Sequence, residues 1–263
     1  MSFISQRHGQ FKYFDLQLGH PTWRGKRVLD FGGNIGNLLR DPNSTIEHEK
    51  YWSMDVSKDA IEKGNKDFPQ AHWVFYDRYN FAFNSTGIEG LKLPPLGQEF
   101  DYILAYSVFT HTKRSEMIDL ISQLENWLTA EGVLAFTFID PHFNPSKSNG
   151  NIRPGYYNGT CLRQRLERMK QHDPAGDVLF LLEKARGARW CILLNDHDLY
   201  IESEDFKHYD SSDKQSLCAF YTADYLQATY PDANVLAPPP GAYAPSEESV
   251  LQHCCVIRKD RGR

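Results

Sequence analysis

The sequence predicts an α/β protein built on a doubly wound parallel sheet. Three observations support this prediction. From residue 26 to residue 140, short apolar runs alternate with helical segments. The run FDYILAYSVF is mostly apolar, as expected of a central parallel strand buried on both faces. A glycine-rich turn, DFGGNIG, follows the first apolar run, at the position where such sheets bind ligands.

The elements follow in a regular order between residues 26 and 140. The predicted strands are KRVLDFG, YWSMDV, HWVFYD, FDYILAYSVF and GVLAFTFID. The predicted helices are NIGNLL, SKDAIEKGNKDF and KRSEMIDLISQLENWL. Pro42 ends the first helix, Ser57 caps the second, and the third has helical spacing of its apolar residues.

The remaining chain divides into three parts. Residues 1–25 are aromatic and polar, and we predict an N-terminal arm that covers the core. Residues 26–140 and 216–263 form the core, where a helix capped by Thr222 precedes two further strands. The alternation of strands and helices is interrupted between these two segments, so residues 141–215 are predicted to be an inserted lid over one end of the sheet.

Composition limits the classes of partner. The chain has 263 residues, 41% hydrophobic and 24% charged, as in ordinary globular proteins. A net charge of −5 argues against a nucleic-acid partner. Five cysteines without a C-x-x-C pair suggest buried thiols in a reducing compartment. Because no signal segment and no apolar run of about 20 residues is present, we predict a cytoplasmic protein without a membrane partner.

The glycine-rich turn departs from the dinucleotide fingerprint G-x-G-x-x-G. Its sequence, VLDFGGNIG, resembles the D-x-G-x-G-x-G motif of class I S-adenosylmethionine (SAM)-dependent methyltransferases. The matching positions are Asp30, Gly32, Asn34 and Gly36. Asn34 replaces the middle glycine of the motif. Since asparagine tolerates the left-handed conformation, we predict a positive φ at this position, beside the methionine end of the cofactor.

The resemblance extends over residues 26–140 and 217–259 and implies seven strands, the last of them antiparallel. It implies that Asp55, at the end of the second strand, accepts hydrogen bonds from the ribose hydroxyls of SAM. It also implies that Asp77 contacts the adenine amino group, with Tyr76 or Arg78 stacked on the base. The entry to the fifth strand, LTAEGV, lacks the proline that is usual in the family. The complete set predicted to bind SAM, with S-adenosylhomocysteine as product, is Tyr13, Asp30, Gly32, Gly33, Asn34, Gly36, Asp55, Val56, Tyr76, Asp77 and Ser107.

Two histidines are candidates for a catalytic base. His111 follows the fourth strand and His142 follows the fifth, so both are expected at the ligand-binding edge of the sheet. Asp196 and Asp198 can share one face of a strand, but a solvated hairpin explains NDHDLY better, so no metal site is predicted.

The predicted function is methyl transfer from SAM to a hydroxyl or carboxyl oxygen of a small metabolite or short peptide. The fourth strand ends in AYSVFTH, which lacks the N/D-P-P-Y motif of DNA and protein amide methyltransferases. Three alternatives stay open: a small-amine N-methyltransferase, a catalytically silent binding protein, and a nicotinamide-dependent oxidoreductase, which the glycine spacing disfavours. The sequence leaves the oligomeric state open.

Overall fold

A computed structural model describes residues 9–80, 82–140, 190–194, 199–203, 207–210, 218–239 and 252–259. The first eight residues of the predicted arm, most of the predicted lid, His142 and the Asp196–Asp198 pair lie outside the described residues.

Eleven strands and five α-helices are described. The strands are β1 (Val28–Phe31), β2 (Tyr51–Asp55), β3 (His72–Phe75), β4 (Phe100–Ala105), β5 (Leu128–Phe138), β6 (Trp190–Leu194), β7 (Leu199–Ser203), β8 (Lys207–Asp210), β9 (Cys218–Tyr221), β10 (Asn234–Leu236) and β11 (His253–Arg258). The helices are α1 (Gln10–Gln17), α2 (Asn37–Arg40), α3 (Lys58–Asp67), α4 (Arg114–Glu125) and α5 (Ala223–Thr229). Short 3₁₀ turns occur at His48–Lys50 and Phe109–His111.

The main sheet has seven strands in the order β10-β11-β5-β4-β1-β2-β3. The five strands from β5 to β3 pair in parallel, whereas β11 pairs antiparallel with both β5 and β10. The predicted α/β class, the doubly wound sheet and the antiparallel last strand are therefore confirmed. Strand order reverses beside β1, between β4 and β2, and this is the switch point where open α/β sheets bind ligands.

Both faces of the sheet are covered, because its central strands contribute alternate residues to two separate cores. Leu29 and Phe31 of β1 belong to one core with the apolar face of α4, while Val28 belongs to the other core with α1 and α2. Such burial on both faces is typical of parallel sheets. It explains why the strands read as continuous apolar runs in the sequence.

The predicted helix caps are confirmed in detail. The Ser57 hydroxyl accepts a hydrogen bond from the Ala60 N–H at 3.3 Å, and the Thr222 hydroxyl accepts one from the Tyr225 N–H at 3.2 Å. Each cap satisfies one of the backbone donors left open at a helix start. The Ser57 cap fixes the start of α3 directly after β2, at the ligand-binding edge of the sheet.

A second sheet has four antiparallel strands in the order β8-β7-β6-β9. It includes β9 and so extends beyond residue 215, the predicted end of the lid. The N–H of Tyr221 in β9 donates to the Ile139 carbonyl at 3.0 Å, which joins β9 to the chain leaving β5. β9 also contacts the Phe109–His111 turn.

Two searches were confined to the described part of the chain. Its helices include none that is both long and apolar enough to cross a membrane. Its His, Cys, Asp and Glu side chains include no group of three that could hold a metal ion.

Candidate active site

A cleft of about 800 Å³ opens at the carboxyl ends of β1 to β4. Its volume lies in the range of small-molecule and cofactor sites. Eight of the predicted site residues line it: Gly32, Asn34, Asp55, Val56, Tyr76, Asp77, Ser107 and His111. The parallel strands bring these residues together, although they are spread over 80 positions of the sequence, because their carboxyl ends meet at one edge.

The glycine-rich turn has three residues with positive φ. The angles are 76° at Gly32, 51° at Asn34 and 86° at Gly36. The predicted left-handed conformation of Asn34 is therefore confirmed. At Gly32, a Cβ atom would lie 2.3 Å from Cγ2 of Val108, a distance that real structures essentially never show. Glycine at position 32 thus allows the turn after β1 to pack against the loop after β4.

Gly33 and Gly36 serve packing rather than the wall of the cleft. A Cβ at Gly33 would lie 2.6 Å from the Ser53 hydroxyl and 2.7 Å from the Asp30 carboxyl group. A Cβ at Gly36 would lie 2.9 Å from the Trp73 ring. Neither residue is among those that line the cleft. Both glycines thus allow close packing beneath the turn, and their contact with the cofactor stays a prediction.

Asp30 also lies behind the turn. Its side chain is buried and is not part of the cleft wall. Asp30 Oδ2 accepts a hydrogen bond from the Tyr51 hydroxyl at 2.6 Å, and the Leu38 N–H also donates to the carboxyl group. Burial, together with the nearby charge of Asp55, raises the pKa of Asp30 to about 7 despite these donors. Asp30 supports the turn from behind, and its contact with the cofactor stays a prediction.

Asp55 joins the turn to the start of α3. Its Oδ2 accepts from the Asn34 N–H at 2.8 Å, and its Oδ1 accepts from the Ser57 N–H at 2.7 Å. Burial raises the pKa of the Asp55 carboxyl group above its ordinary value, while these N–H groups act in the opposite direction. A carboxylate has about four acceptor positions, so two protein donors leave capacity for ligand hydroxyls.

Three residues follow β3: Tyr76 and Arg78 are packed against other parts of the chain, and Asp77 faces the cleft. The Tyr76 hydroxyl donates to the Leu91 carbonyl, and the Tyr76 ring is buried in the core. Arg78 is buried and pairs with Glu116 at 3.2 Å, so the alternative of Arg78 stacked on a base is not supported. Asp77 Oδ1 accepts from Asn84 Nδ2 at 3.1 Å, which braces the loop beside the cleft.

Ser107 begins the loop after β4 with a φ of 58°. Its N–H donates to Thr137 Oγ1 at 2.7 Å, and its hydroxyl accepts from Gln252 Nε2 at 3.1 Å. Thr110 lies 2.9 Å from the same hydroxyl. These bonds join β4, β5 and the residue before β11 at the ligand-binding edge, so they fix the loop that leads to His111.

His111 lies in the Phe109–His111 turn and lines the cleft. Its backbone is held from two sides: the His111 N–H donates to the Val108 carbonyl at 2.9 Å, and Asn80 Nδ2 donates to the His111 carbonyl at 3.1 Å. The imidazole meets the Phe83 ring edge to face, with centroids 5.4 Å apart. The histidine is therefore fixed beside the cleft by the loops after β3 and β4.

Tyr13 does not reach the cleft. Its side chain is fully buried, and its hydroxyl donates to the Gln252 carbonyl at 2.9 Å. Its ring packs edge to face on Tyr106, with centroids 5.5 Å apart. Tyr13 therefore docks α1 onto the core, and its contact with the cofactor stays a prediction.

Among the cleft-lining residues that the sequence did not single out are Gln10, Asn37 and Tyr106. Asn37 directly follows Gly36, and Tyr106 directly precedes Ser107, so proximity to the two motifs was an available signal. Gln10 gave no signal, because its place depends on how α1 packs against the rest of the chain.

The residues of the cleft fit SAM. Asp55 and Asp77 supply carboxylate acceptors at the ends of β2 and β3, and such acceptors can bond ribose hydroxyls and an adenine amino group. The positive φ angles of Gly32 and Asn34 let the turn curve beside the cleft.

Comparison with known proteins points in the same direction. Residues 29–134, which hold the turn, both acids and His111, match a family described as "Methyltransferase domain". The core of this chain is therefore similar to methyltransferase domains. No curated protein matches the sequence of the whole chain at a significant level.

Solved structures of methyltransferases are similar to this chain. The glycopeptide N-methyltransferase MtfA, complexed with S-adenosylhomocysteine, is 8% identical and aligns over 97% of this chain and 91% of its own, with a TM-score of 0.50. A SAM-dependent methyltransferase from Clostridium acetobutylicum ATCC 824 is 11% identical over 96% and 90%, with a TM-score of 0.49. CalS10, an amino pentose methyltransferase from Micromonospora echinaspora, is 12% identical over 95% and 89%, with a TM-score of 0.47.

Proposed function

We propose that this chain transfers a methyl group from SAM to a hydroxyl or carboxyl oxygen of a small metabolite or short peptide. SAM is the cofactor and S-adenosylhomocysteine the product. The observation that carries the proposal is that His111 lines the same cleft as Asp55 and Asp77. This position supports His111 as the base for an acceptor bound beside the cofactor.

SAM supplies a methyl group activated by a sulfonium cation. The residues of this chain orient the reactants and exclude water, which is the main source of rate in an in-line transfer. The His111 imidazole accepts the proton of an acceptor hydroxyl as the oxygen is methylated. General-base assistance of this kind contributes roughly 10²- to 10⁴-fold.

The rim of the cleft supports an acceptor with an apolar face. Phe75 and Phe83 both line the cleft, and their side chains are 37% and 41% exposed. Exposed aromatic side chains at a cleft typically mark a ligand-contact surface. β9 of the second sheet contacts the turn that carries His111, so this sheet lies near the acceptor side. His142 remains a predicted second base.

The test is turnover with methyl-labelled SAM and a metabolite pool, followed by mass spectrometry of the labelled product. With the acceptor known, His111→Ala should lower kcat by roughly 100-fold or more, because the base is lost. His20→Ala is the matched control, since the His20 side chain is 67% exposed and pairs with Asp15 outside the cleft. Full turnover by His111→Ala would show that His111 is not the base.

A small amine is the second candidate acceptor. The described wall of the cleft includes four acidic residues, Asp55, Asp59, Asp77 and Glu116, and two basic residues, Lys58 and Arg78, an acidic balance that favours a cationic group. An amine is a nucleophile once it has lost its proton, so it needs no base during the methyl transfer itself. An N-methylated product together with an unchanged kcat of His111→Ala would favour this candidate over the oxygen acceptor.

A further inference from the structure

Two buried amide side chains form part of the cleft wall between α1 and α2. Gln10, the first residue of α1, is 7% exposed, and Asn37, the first residue of α2, is 4% exposed. Both line the cleft. An amide side chain offers a polar ligand both donors and an acceptor.

The Asn37 side chain carries the stronger observation. Its Oδ1 atom is buried and accepts no hydrogen bond from any residue that the structure describes. Buried acceptors are nearly always satisfied in native proteins, since leaving one unmatched is costly. An acceptor of this kind in the wall of a ligand cleft indicates that the ligand provides the donor.

The position of the two amides selects one end of the cofactor. Asp55 and Asp77 follow β2 and β3, on one side of the glycine-rich turn. α1 lies toward the other side, because its Tyr13 packs on Tyr106 directly after β4. When the nucleoside of SAM lies along the two acids, its amino-acid end extends toward Gln10 and Asn37.

α1 is firmly held, so Gln10 has a fixed position. The Lys12 N–H donates to Asp41 Oδ2 at 3.2 Å, directly after α2. Phe11 and Phe14 are buried in the core that α1 shares with α2. A fixed amide loses little freedom on binding and is therefore suited to recognition.

We propose that these two amides recognise the amino-acid end of SAM: Asn37 Oδ1 accepts from the α-ammonium group, and Gln10 Nε2 donates to the α-carboxylate. The inference rests on SAM as the cofactor, proposed above, and is independent of the acceptor. It adds Gln10 and Asn37 as specificity-determining residues.

The test is calorimetric titration of the full chain with three ligands. S-adenosylhomocysteine has both charged groups, S-adenosyl-3-thiopropylamine lacks the carboxylate, and 5′-methylthioadenosine lacks both. Asn37→Leu should weaken the binding of S-adenosylhomocysteine and S-adenosyl-3-thiopropylamine by roughly tenfold or more, since a hydrogen bond to a charged group is lost. Its affinity for 5′-methylthioadenosine should change by less than about twofold. Gln10→Leu should weaken the binding of S-adenosylhomocysteine alone.

Asn126→Leu is the matched control, because Asn126 is an exposed asparagine that follows α4. It should leave all three affinities unchanged.

Retained binding of 5′-methylthioadenosine shows that a variant is folded, and Asn37→Ala replaces Asn37→Leu if the larger side chain prevents folding. Equal weakening of all three ligands, or unchanged affinity for S-adenosylhomocysteine, would overturn the inference. If the unmodified protein bound none of the three, the proposed cofactor itself would be wrong, and this inference with it.

Discussion

Asn34 shows how a single residue can depart from a motif and still keep its backbone shape. Its φ of 51° lies in the left-handed region, which asparagine tolerates better than most side chains. Its N–H is bonded to Asp55, so the conformation is held from the neighbouring strand. The replacement of the middle glycine therefore alters the surface of the turn but leaves its path intact.

Gly32 should be the least replaceable residue of the turn. In Gly32→Ala the strain of a positive φ adds to a collision with Val108, so we expect the free energy of unfolding to fall by several kcal/mol. We also expect the variant to lose measurable affinity for SAM. Gly25→Ala is the matched control: Gly25 has a φ of 75°, close to that of Gly32, but no atom lies within 4 Å of its added Cβ. It should cost about 1 kcal/mol. Equal losses in urea unfolding would mean that contact with Val108 is unimportant.

Asp30 should make stability depend on pH. Its pKa is about 7 in the folded protein and 3.8 in the unfolded chain, so between these values the unfolded chain releases a proton that the folded protein keeps. Stability therefore falls as pH rises from about 4 to 7 and then levels off. The side chain in Asp30→Asn stays neutral, so the difference in unfolding free energy between pH 5 and pH 8 should be smaller by a few kcal/mol in this variant. The same decline in both proteins, measured by urea unfolding, would argue against this role.

At the scale of elements, α1 is a docked part of the core, and Tyr13 is its anchor. Tyr13→Phe removes the hydrogen bond to the Gln252 carbonyl and should lower the unfolding free energy by about 1 kcal/mol. Because the Tyr13 side chain is fully buried away from the cleft, affinity for S-adenosylhomocysteine should change less than about threefold. A large loss of affinity without a loss of stability would restore the cofactor contact that the sequence suggested.

The helices and strands were predictable because their signals are local. Apolar runs gave the buried strands, and Ser57 and Thr222 gave two helix starts. The roles of Asp30 and Tyr13 were not predictable, since they depend on distant partners. Tyr13 bonds a residue 239 positions away, and Asp30 is covered by a turn whose packing the sequence does not reveal.

At the scale of the whole molecule, the topology creates the site. The reversal of strand order beside β1 leaves a cleft at the carboxyl edge, and the ends of four parallel strands supply its wall. Asp55, Asp77 and His111 were therefore predictable as a group, because parallel strands bring residues from successive strand ends together. The amides of Gln10 and Asn37 become evident only when α1 and α2 are packed.

The central claim is that this cleft binds SAM, and calorimetric titration with S-adenosylhomocysteine tests it most directly. We predict saturable binding with one site per chain. Asp55→Ala should abolish or strongly weaken it, since the variant loses the acceptor for the ribose hydroxyls and the bond to Asn34. NADH should not compete. No heat of binding at near-millimolar S-adenosylhomocysteine, or tight binding of NADH, would contradict the account.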